Sequence, residues 1–287
     1  FDIGGINNLL SPLLPAGFYY KTFMWPASFW EKYEFFIRHS AGLGKSPSKP
    51  DPDIYDHKYY HCDVLVVGGG ISGIMAAKLS AENNNETLLL DDKNTLGGAT
   101  IYQNNDCFQI DGTHTNYWLE KEINKIKNIK NLTIKTRTSL AAYHGYNYLL
   151  AKENLTDHLS PDERKGKIRQ RLWKIRAKKV IIATGSIERP LIFNNNDRPG
   201  IMLSSAIKKF IDFYGVKAGK EISLFTNNDS AYETAISLMK SGVNIVSIID
   251  IRDKSSSKIV KEVEKHNIKI YWKHTIVNTE GYRRISF

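Results

Sequence analysis

The stretch "CDVLVVGGGISGIMAAKLSAENNNETLLLDD", Cys62 to Asp92, runs from an apolar segment through a glycine cluster into a segment of small residues and on to a second apolar segment. The pattern predicts a strand over 63–67, a turn over 68–73, a helix over 74–82 and a strand over 87–90, which together make a βαβ unit. Gly68, Gly70 and Gly73 carry G-x-G-x-x-G spacing directly after an apolar strand and at the mouth of a helix. In that context the first glycine permits a tight turn, the second lets backbone approach a pyrophosphate, and the third lets helix and strand pack closely. The helix start, with Ile71 and Ser72 between the glycines, offers unpaired N–H groups and positive potential to an anion.

Asp91 follows the second strand, where an acid is expected to accept both ribose hydroxyls of an adenosine. A 2′-phosphate would meet that carboxylate, so NAD or FAD is favoured over NADP, with the neighbouring Asp92 as the alternative acceptor. Gly97 and Gly98 permit another close backbone pass, or serve simply as a turn. The later apolar run "KKVIIATGS" ends in Ala183, Thr184 and Gly185, a small turn able to close over the dinucleotide from the opposite side.

Length and composition fit this reading. The 287 residues are 41% hydrophobic and 24% charged, enough for one large or two moderate folded units. No run of eighteen apolar residues occurs and no secretory leader is evident, so the chain is expected to be cytoplasmic and off the membrane. It starts at Phe1 rather than Met, which reads as a piece of a longer polypeptide. Cys62 and Cys107 show no C-x-x-C spacing, against both a zinc knuckle and a redox disulfide. The net charge of +10 is densest in "RKGKIRQRLWKIRAKK", residues 164–179, whose alternation predicts a strand with two mixed faces rather than a nucleic-acid arm. His57, His61, His114 and His144 have no convergent spacing and are expected to be ordinary surface or core histidines.

Along the chain we expect an irregular aromatic arm over 1–60 with one short helix at 27–41. A dinucleotide-binding domain follows over 61–217, in which segments 139–152 and 167–177 form an inserted hairpin pair. A second nucleotide-fold-like unit, truncated, occupies 218–287. In that second unit the turn "TNNDSAYETA" has no glycine, and Asn227, Asn228, Asp229 and Ser230 read as a helix cap instead. A nicotinamide shuttle between two sites is therefore not expected.

The glycine turn, Asp91, Gly97, Gly98, the Ala183–Gly185 turn and the intervening hairpin resemble the two-dinucleotide-binding flavoproteins, an α/β Rossmann-like FAD/NAD(P)-binding fold. Longer strings, "PAGFYYKTFMWP", "HCDVLVVGGGISG", "RQRLWKIRAKKVIIATGSIERPLIFNNNDRPGIML" and "SLFTNNDSAYETA", resemble the alpha-subunit family of heterotetrameric sarcosine oxidases. The resemblance implies a central segment of a longer alpha subunit, flanked by a ferredoxin-like domain and a folate-binding domain. It implies partnership with beta, gamma and delta subunits, with FAD and FMN mainly on beta. The complete complex would demethylate sarcosine to glycine with hydrogen peroxide, passing the one-carbon unit to tetrahydrofolate. It also implies a tightly held NAD in this chain, lined by Gly68, Gly70, Gly73, Asp91, Gly97, Gly98 and Thr184, with no catalytic residue here. The other reading left open is an independent FAD-dependent oxidoreductase of the same fold. Neither reading requires a metal or nucleic acid.

Overall fold

The computed structural model describes residues 12, 25–40, 42, 44, 47–102, 109–282 and 284–286. Cys107 and nearly all of the arm before Trp25 lie outside them. The chain divides into two compact units, Phe1–Pro52 and Asp53–Phe287. In the first, a 3₁₀ turn Ala27–Phe29 leads into helix α1, Trp30–Ser40, close to the short helix expected there.

The second unit contains a six-stranded sheet. Its strands are β1 (Ile54–Val67), β2 (Thr87–Leu90), β5 (Leu132–Lys135), β6 (Thr138–His144), β7 (Tyr148–Asn154) and β8 (Ile168–Ile182), in the order β5-β2-β1-β8-β7-β6. β5, β2, β1 and β8 run parallel, while β7 and β6 extend the sheet antiparallel. A two-stranded ribbon, β3 (Gln109–Ile110) with β4 (Thr113–His114), lies between β2 and β5 in the chain. Helix α2, Ile71–Glu82, crosses from β1 to β2, and helix α3, Thr115–Lys127, precedes β5.

Strand β1 begins nine residues before the predicted start at 63, because 54–62 pairs in parallel with 168–177. For the same reason β8 is one strand through 182 and not two. The expected hairpin also differs: β6 and β7 pair with each other, and β8 is the third strand of a meander. The cause is local. Tyr146 (φ 57°) and Asn147 (φ 50°) adopt the two successive left-handed conformations that match a hairpin turn to strand twist. The Asn147 side chain then donates to the Lys178 carbonyl at 3.0 Å, tying the turn to β8.

The two faces of β1 bury different partners. Val64 and Val66 meet Ile74, Ala77, Leu119 and Ile126 from α2 and α3. On the opposite face Leu65 and Val67 meet Leu149, Ala151, Trp173 and Ile175, so the meander curls over the sheet it extends. Burying each such side chain stabilises the fold by about 1.5–3 kcal/mol relative to leaving it in water. Trp173 is held by its indole N–H, which donates to Glu153 Oε2 at 2.8 Å.

The basic run 164–179, which leads into and along β8, is partly neutralised within the unit. Arg164 and Arg169 pair with Asp53, Arg171 with Asp56 and Glu153, and Lys178 with Asp63. Four of the nine cations in 164–179 are thus paired, and the strand carries them on mixed faces, as expected.

Helix α4, Ser204–Asp212, leads to a second parallel sheet, β11-β10-β9, formed by β9 (Glu221–Thr226), β10 (Asn244–Asp250) and β11 (Lys269–Trp272). Helices α5 (Ser230–Lys240) and α6 (Lys258–Glu264) cross between these strands. Tyr232, Ala235, Leu238, Ile248, Val260 and Val263 form its core, all fully buried.

Candidate functional site

The site is built where β1 ends and α2 begins. Gly68 has φ +105°, and a Cβ on it would lie 2.3 Å from the Ala183 carbonyl oxygen at the end of β8. A Cβ on Gly73 would lie 1.7 Å from the Gly68 carbonyl oxygen, so α2 packs against the turn closer than any side chain permits. Gly70 differs from both. Its own Cβ would meet no atom within 4 Å, so the backbone faces open space at the helix N-terminus. The first intrahelical bond runs from Ile74 N to Gly70 O at 2.9 Å, which leaves the amides of Ile71, Ser72 and Gly73 without a partner one turn back. No acidic residue stands in the first turn of α2.

Two further segments converge on this turn. Gly97 donates its N–H to the Gly69 carbonyl at 2.7 Å, and a Cβ on Gly98 would lie 3.0 Å from Gly70 Cα. Both residues hold positive φ, +124° and +56°. From the other side Ala183 N donates to Val67 O at 2.7 Å, placing Thr184 and Gly185 beyond the end of β8 next to Gly68. Helix α4 reaches the same edge, with Lys209 Nζ 5.6 Å from the Tyr102 ring centroid.

Asp91 stands at the end of β2 and is only 7% exposed. Its Oδ2 accepts from Gly69 N at 2.5 Å and its Oδ1 from Lys93 N at 2.8 Å. The carboxylate therefore braces the glycine turn, and it retains lone pairs for hydroxyl donors since a carboxylate accepts about four hydrogen bonds. Asp92 points elsewhere, to Lys93 Nζ at 2.5 Å, and both are exposed. That contact raises the Lys93 pKa.

Gly69 is a residue that the sequence reading passed over. Its N–H is bonded to Asp91, its carbonyl to Gly97, and a Cβ would come within 2.5 Å of Leu96 and 2.9 Å of Asp91 Oδ2. The signal was present as the middle member of "GGG", a position that the G-x-G-x-x-G spacing leaves unspecified.

The site fits a dinucleotide by its chemistry: free amides at a helix N-terminus for an anion, an open face at Gly70 for close approach, and a carboxylate beside it for hydroxyls. Cys62 is the described cysteine. It is buried, and burial first, with Asp63 and Glu86 nearby, pushes its thiol up to about 12, so it is a neutral side chain rather than a nucleophile. Among the described residues no group of three or more His, Cys, Asp or Glu is placed to hold a metal.

The second crossover differs. Asn228 Oδ1 accepts from Ser230 N at 2.9 Å and caps α5, whereas Asp229, expected to share that role, makes no side-chain cap and pairs with Arg252 at 2.9 Å. The connecting segment 186–203 is tied down at several points. Glu188 accepts from Ser204 N and Ser205 N at the start of α4, Asn194 N donates to Val277 O at 3.1 Å, and Ile285 N donates to Pro199 O at 2.9 Å. Ile187 and Ile192 remain 91% and 92% exposed.

A family model for the pyridine nucleotide-disulphide oxidoreductases matches residues 62–285. The chain belongs to that family. The pyridine nucleotide-disulphide oxidoreductase fold is that of FAD/NAD(P)-binding Rossmann-type oxidoreductases, as the sequence predicted. Among solved structures, the L-proline dehydrogenase of P. horikoshii aligns with TM-score 0.57 at 19% identity, covering 84% of this chain and 40% of that one. The T. acidophilum thioredoxin reductase aligns with TM-score 0.54 at 19% identity, covering 78% and 68%. Among curated relatives, the sarcosine oxidase subunit alpha of Rhizobium meliloti (strain 1021) is 40% identical over 253 residues, 88% of this chain and 25% of that protein. The sarcosine oxidase subunit alpha of Corynebacterium sp. (strain P-1) is 37% identical over 240 residues, 84% of this chain and 24% of the relative. The chain thus spans about a quarter of the length of the subunits it resembles. No described helix is long and apolar enough to cross a membrane.

Proposed function

We propose that this chain is the NAD-holding segment of a sarcosine oxidase alpha subunit, and that its crevice at Gly68–Gly73 retains NAD without using it in turnover. The observation that carries the reading is the pairing of Gly70's open face and the free amides of Ile71, Ser72 and Gly73 with the buried Asp91 carboxylate. The α2 amides would hold the pyrophosphate, Asp91 would receive the ribose hydroxyls, Gly97 and Gly98 would let the chain pass close, and Thr184 and Gly185 would close the far side. NAD, when bound, supplies a hydride-accepting ring. This chain's own residues bind and orient, and none is assigned a proton transfer.

Similarity to two sarcosine oxidase alpha subunits supports placing the chain in a complex with beta, gamma and delta subunits in the cytoplasm. In that reading, amine oxidation and electron transfer to oxygen take place on FAD and FMN carried mainly by beta, yielding glycine and hydrogen peroxide, and a separate folate-binding domain passes the one-carbon unit to tetrahydrofolate. The segment 186–203, with Ile187 and Ile192 exposed, serves as part of a junction with a subunit or domain. The decisive experiment is to denature the purified chain and identify the released nucleotide by mass. NAD supports the proposal. Released FAD with visible flavin absorbance would overturn it in favour of an independent flavoenzyme.

A further inference from the structure

The chain contains two crossovers of one design. Each has three residues between strand and helix: Gly68, Gly69 and Gly70 between β1 and α2, and Asn227, Asn228 and Asp229 between β9 and α5. Counting from the helix caps, Asp229 stands where Gly70 stands, and Tyr232 where Gly73 stands.

Each replacement fills space that the first crossover keeps clear. Where Gly70 faces open space, Asp229 carries a carboxylate at the head of α5, and Glu233 adds a second carboxyl in the first turn. Where Gly73 allows α2 to touch the strand turn, Tyr232 inserts a ring that is fully buried, stacked on Trp272 at 6.2 Å, with its hydroxyl donating to Asp250 Oδ2 at 2.9 Å. The Tyr232 ring packs instead against Trp272 and Asp250.

The acid at the end of the second strand has also changed partners. Asp91 braces the glycine turn through Gly69 N, whereas Asp250 is 0% exposed and is gripped by Arg252: Nε to Oδ1 at 3.0 Å and a terminal guanidinium nitrogen to Oδ2 at 2.7 Å. The same guanidinium reaches Asp229 at 2.9 Å. Burial works against the Asp250 carboxylate, but the Arg252 side-chain and backbone donors and the Tyr232 hydroxyl outweigh it and hold its pKa below the ordinary value.

We infer that the second crossover, between β9 and α5, excludes dinucleotides through its own side chains: Arg252, clamped between Asp250 and Asp229, occupies the crevice there, and the Asp229 carboxylate repels a pyrophosphate from the head of α5. Asp229 is thus a specificity-determining residue that restricts nucleotide to the first crevice. The physical basis is that an anion gains from a helix N-terminus only where no resident carboxylate has already taken that potential.

The test uses inorganic pyrophosphate and calorimetry on the whole chain carrying Gly70→Val, in which nucleotide retention at the first crevice is blocked. Adding Asp229→Asn removes one charge without changing size, and pyrophosphate affinity should rise about tenfold over the parent. Asp229→Ser, which also removes the charge and leaves the Asn228 cap in place, should do the same if the amide variant fails to fold. Unchanged affinity in the folded variants would overturn the inference. So would labelling of residues 226–252 in the native chain by a photoreactive NAD analogue. The comparison between parent and Asp229 variants reads the second crevice alone, whereas loss of the first-crevice proposal would show instead as NAD retention by the Gly70→Val chain.

Discussion

The Asp91 carboxylate accepts a 2.5 Å hydrogen bond from the Gly69 N–H, so the acid at the end of β2 and the middle glycine of the turn form one element. Replacing Asp91 removes both a brace and a ligand group. Asp91→Ala is expected to weaken NAD binding by about 1.5–3 kcal/mol, with a stability loss from the unpaired Gly69 amide. Asp92→Ala, at an exposed pair with Lys93, should change either by less than about 0.5 kcal/mol. Calorimetric titration of both folded variants with NAD checks this, and equal losses would refute the assignment.

Gly70 and Gly73 should separate binding from folding. At Gly70 the backbone is extended (φ −73°, ψ −178°) and the space above it is empty, so Gly70→Val should fold and yet lose nucleotide after gel filtration. At Gly73 even a methyl group collides with the Gly68 carbonyl, and Gly73→Ala should cost about 3 kcal/mol or more in stability. Thermal unfolding together with nucleotide content tests the pair.

Cys62 should resist alkylation at neutral pH in the native protein and react on denaturation, because its thiol is pushed up to about 12. The same shift has a stability consequence. The folded state holds the proton more tightly than the unfolded chain, so this contribution is complete below the ordinary thiol value of 9.0 and is lost as pH rises toward about 12. The slope is at most about 1.4 kcal/mol per pH unit for one group. Cys62→Ala should flatten the alkaline limb of a denaturation profile, and an unchanged limb would refute the claim.

This chain alone should not oxidise sarcosine, even with FAD and FMN supplied. The cofactor carries the redox step while the protein positions the substrate, and in the proposed reading the described residues offer one dinucleotide crevice, taken by NAD rather than by a catalytic flavin. Peroxide formation from sarcosine by the purified 287-residue chain is the assay, and sustained turnover without a partner would refute the proposal. In an assembled complex, cross-linking should find residues 186–203 linked or protected, with Ile187 and Ile192 covered.

The glycine turn, the βαβ unit and the acid at the end of β2 were legible in the sequence because each rests on local physics. Alternation and apolar runs set the strands, and a spacing of three glycines set the turn that follows. The extent of β1 was not legible, since residues 54–60 read as part of the aromatic arm until 168–177 supplies a pairing edge. Nor was the hairpin partner of 138–144, which depends on two left-handed residues, Tyr146 and Asn147, that carry no glycine signal.

What the sequence by itself determined is that a dinucleotide-type turn opens at Gly68 and that no second glycine turn follows β9, because backbone freedom is written residue by residue. Only the tertiary structure decided what each acid does. Asp91 turns to Gly69 and Lys93, while Asp250 closes on Arg252 and Tyr232 and Asp229 joins them. Those partners lie on separate segments, and a carboxylate buried by folding must take whatever donors the packed elements bring within reach, since leaving it unpaired costs several kcal/mol, about 3–5.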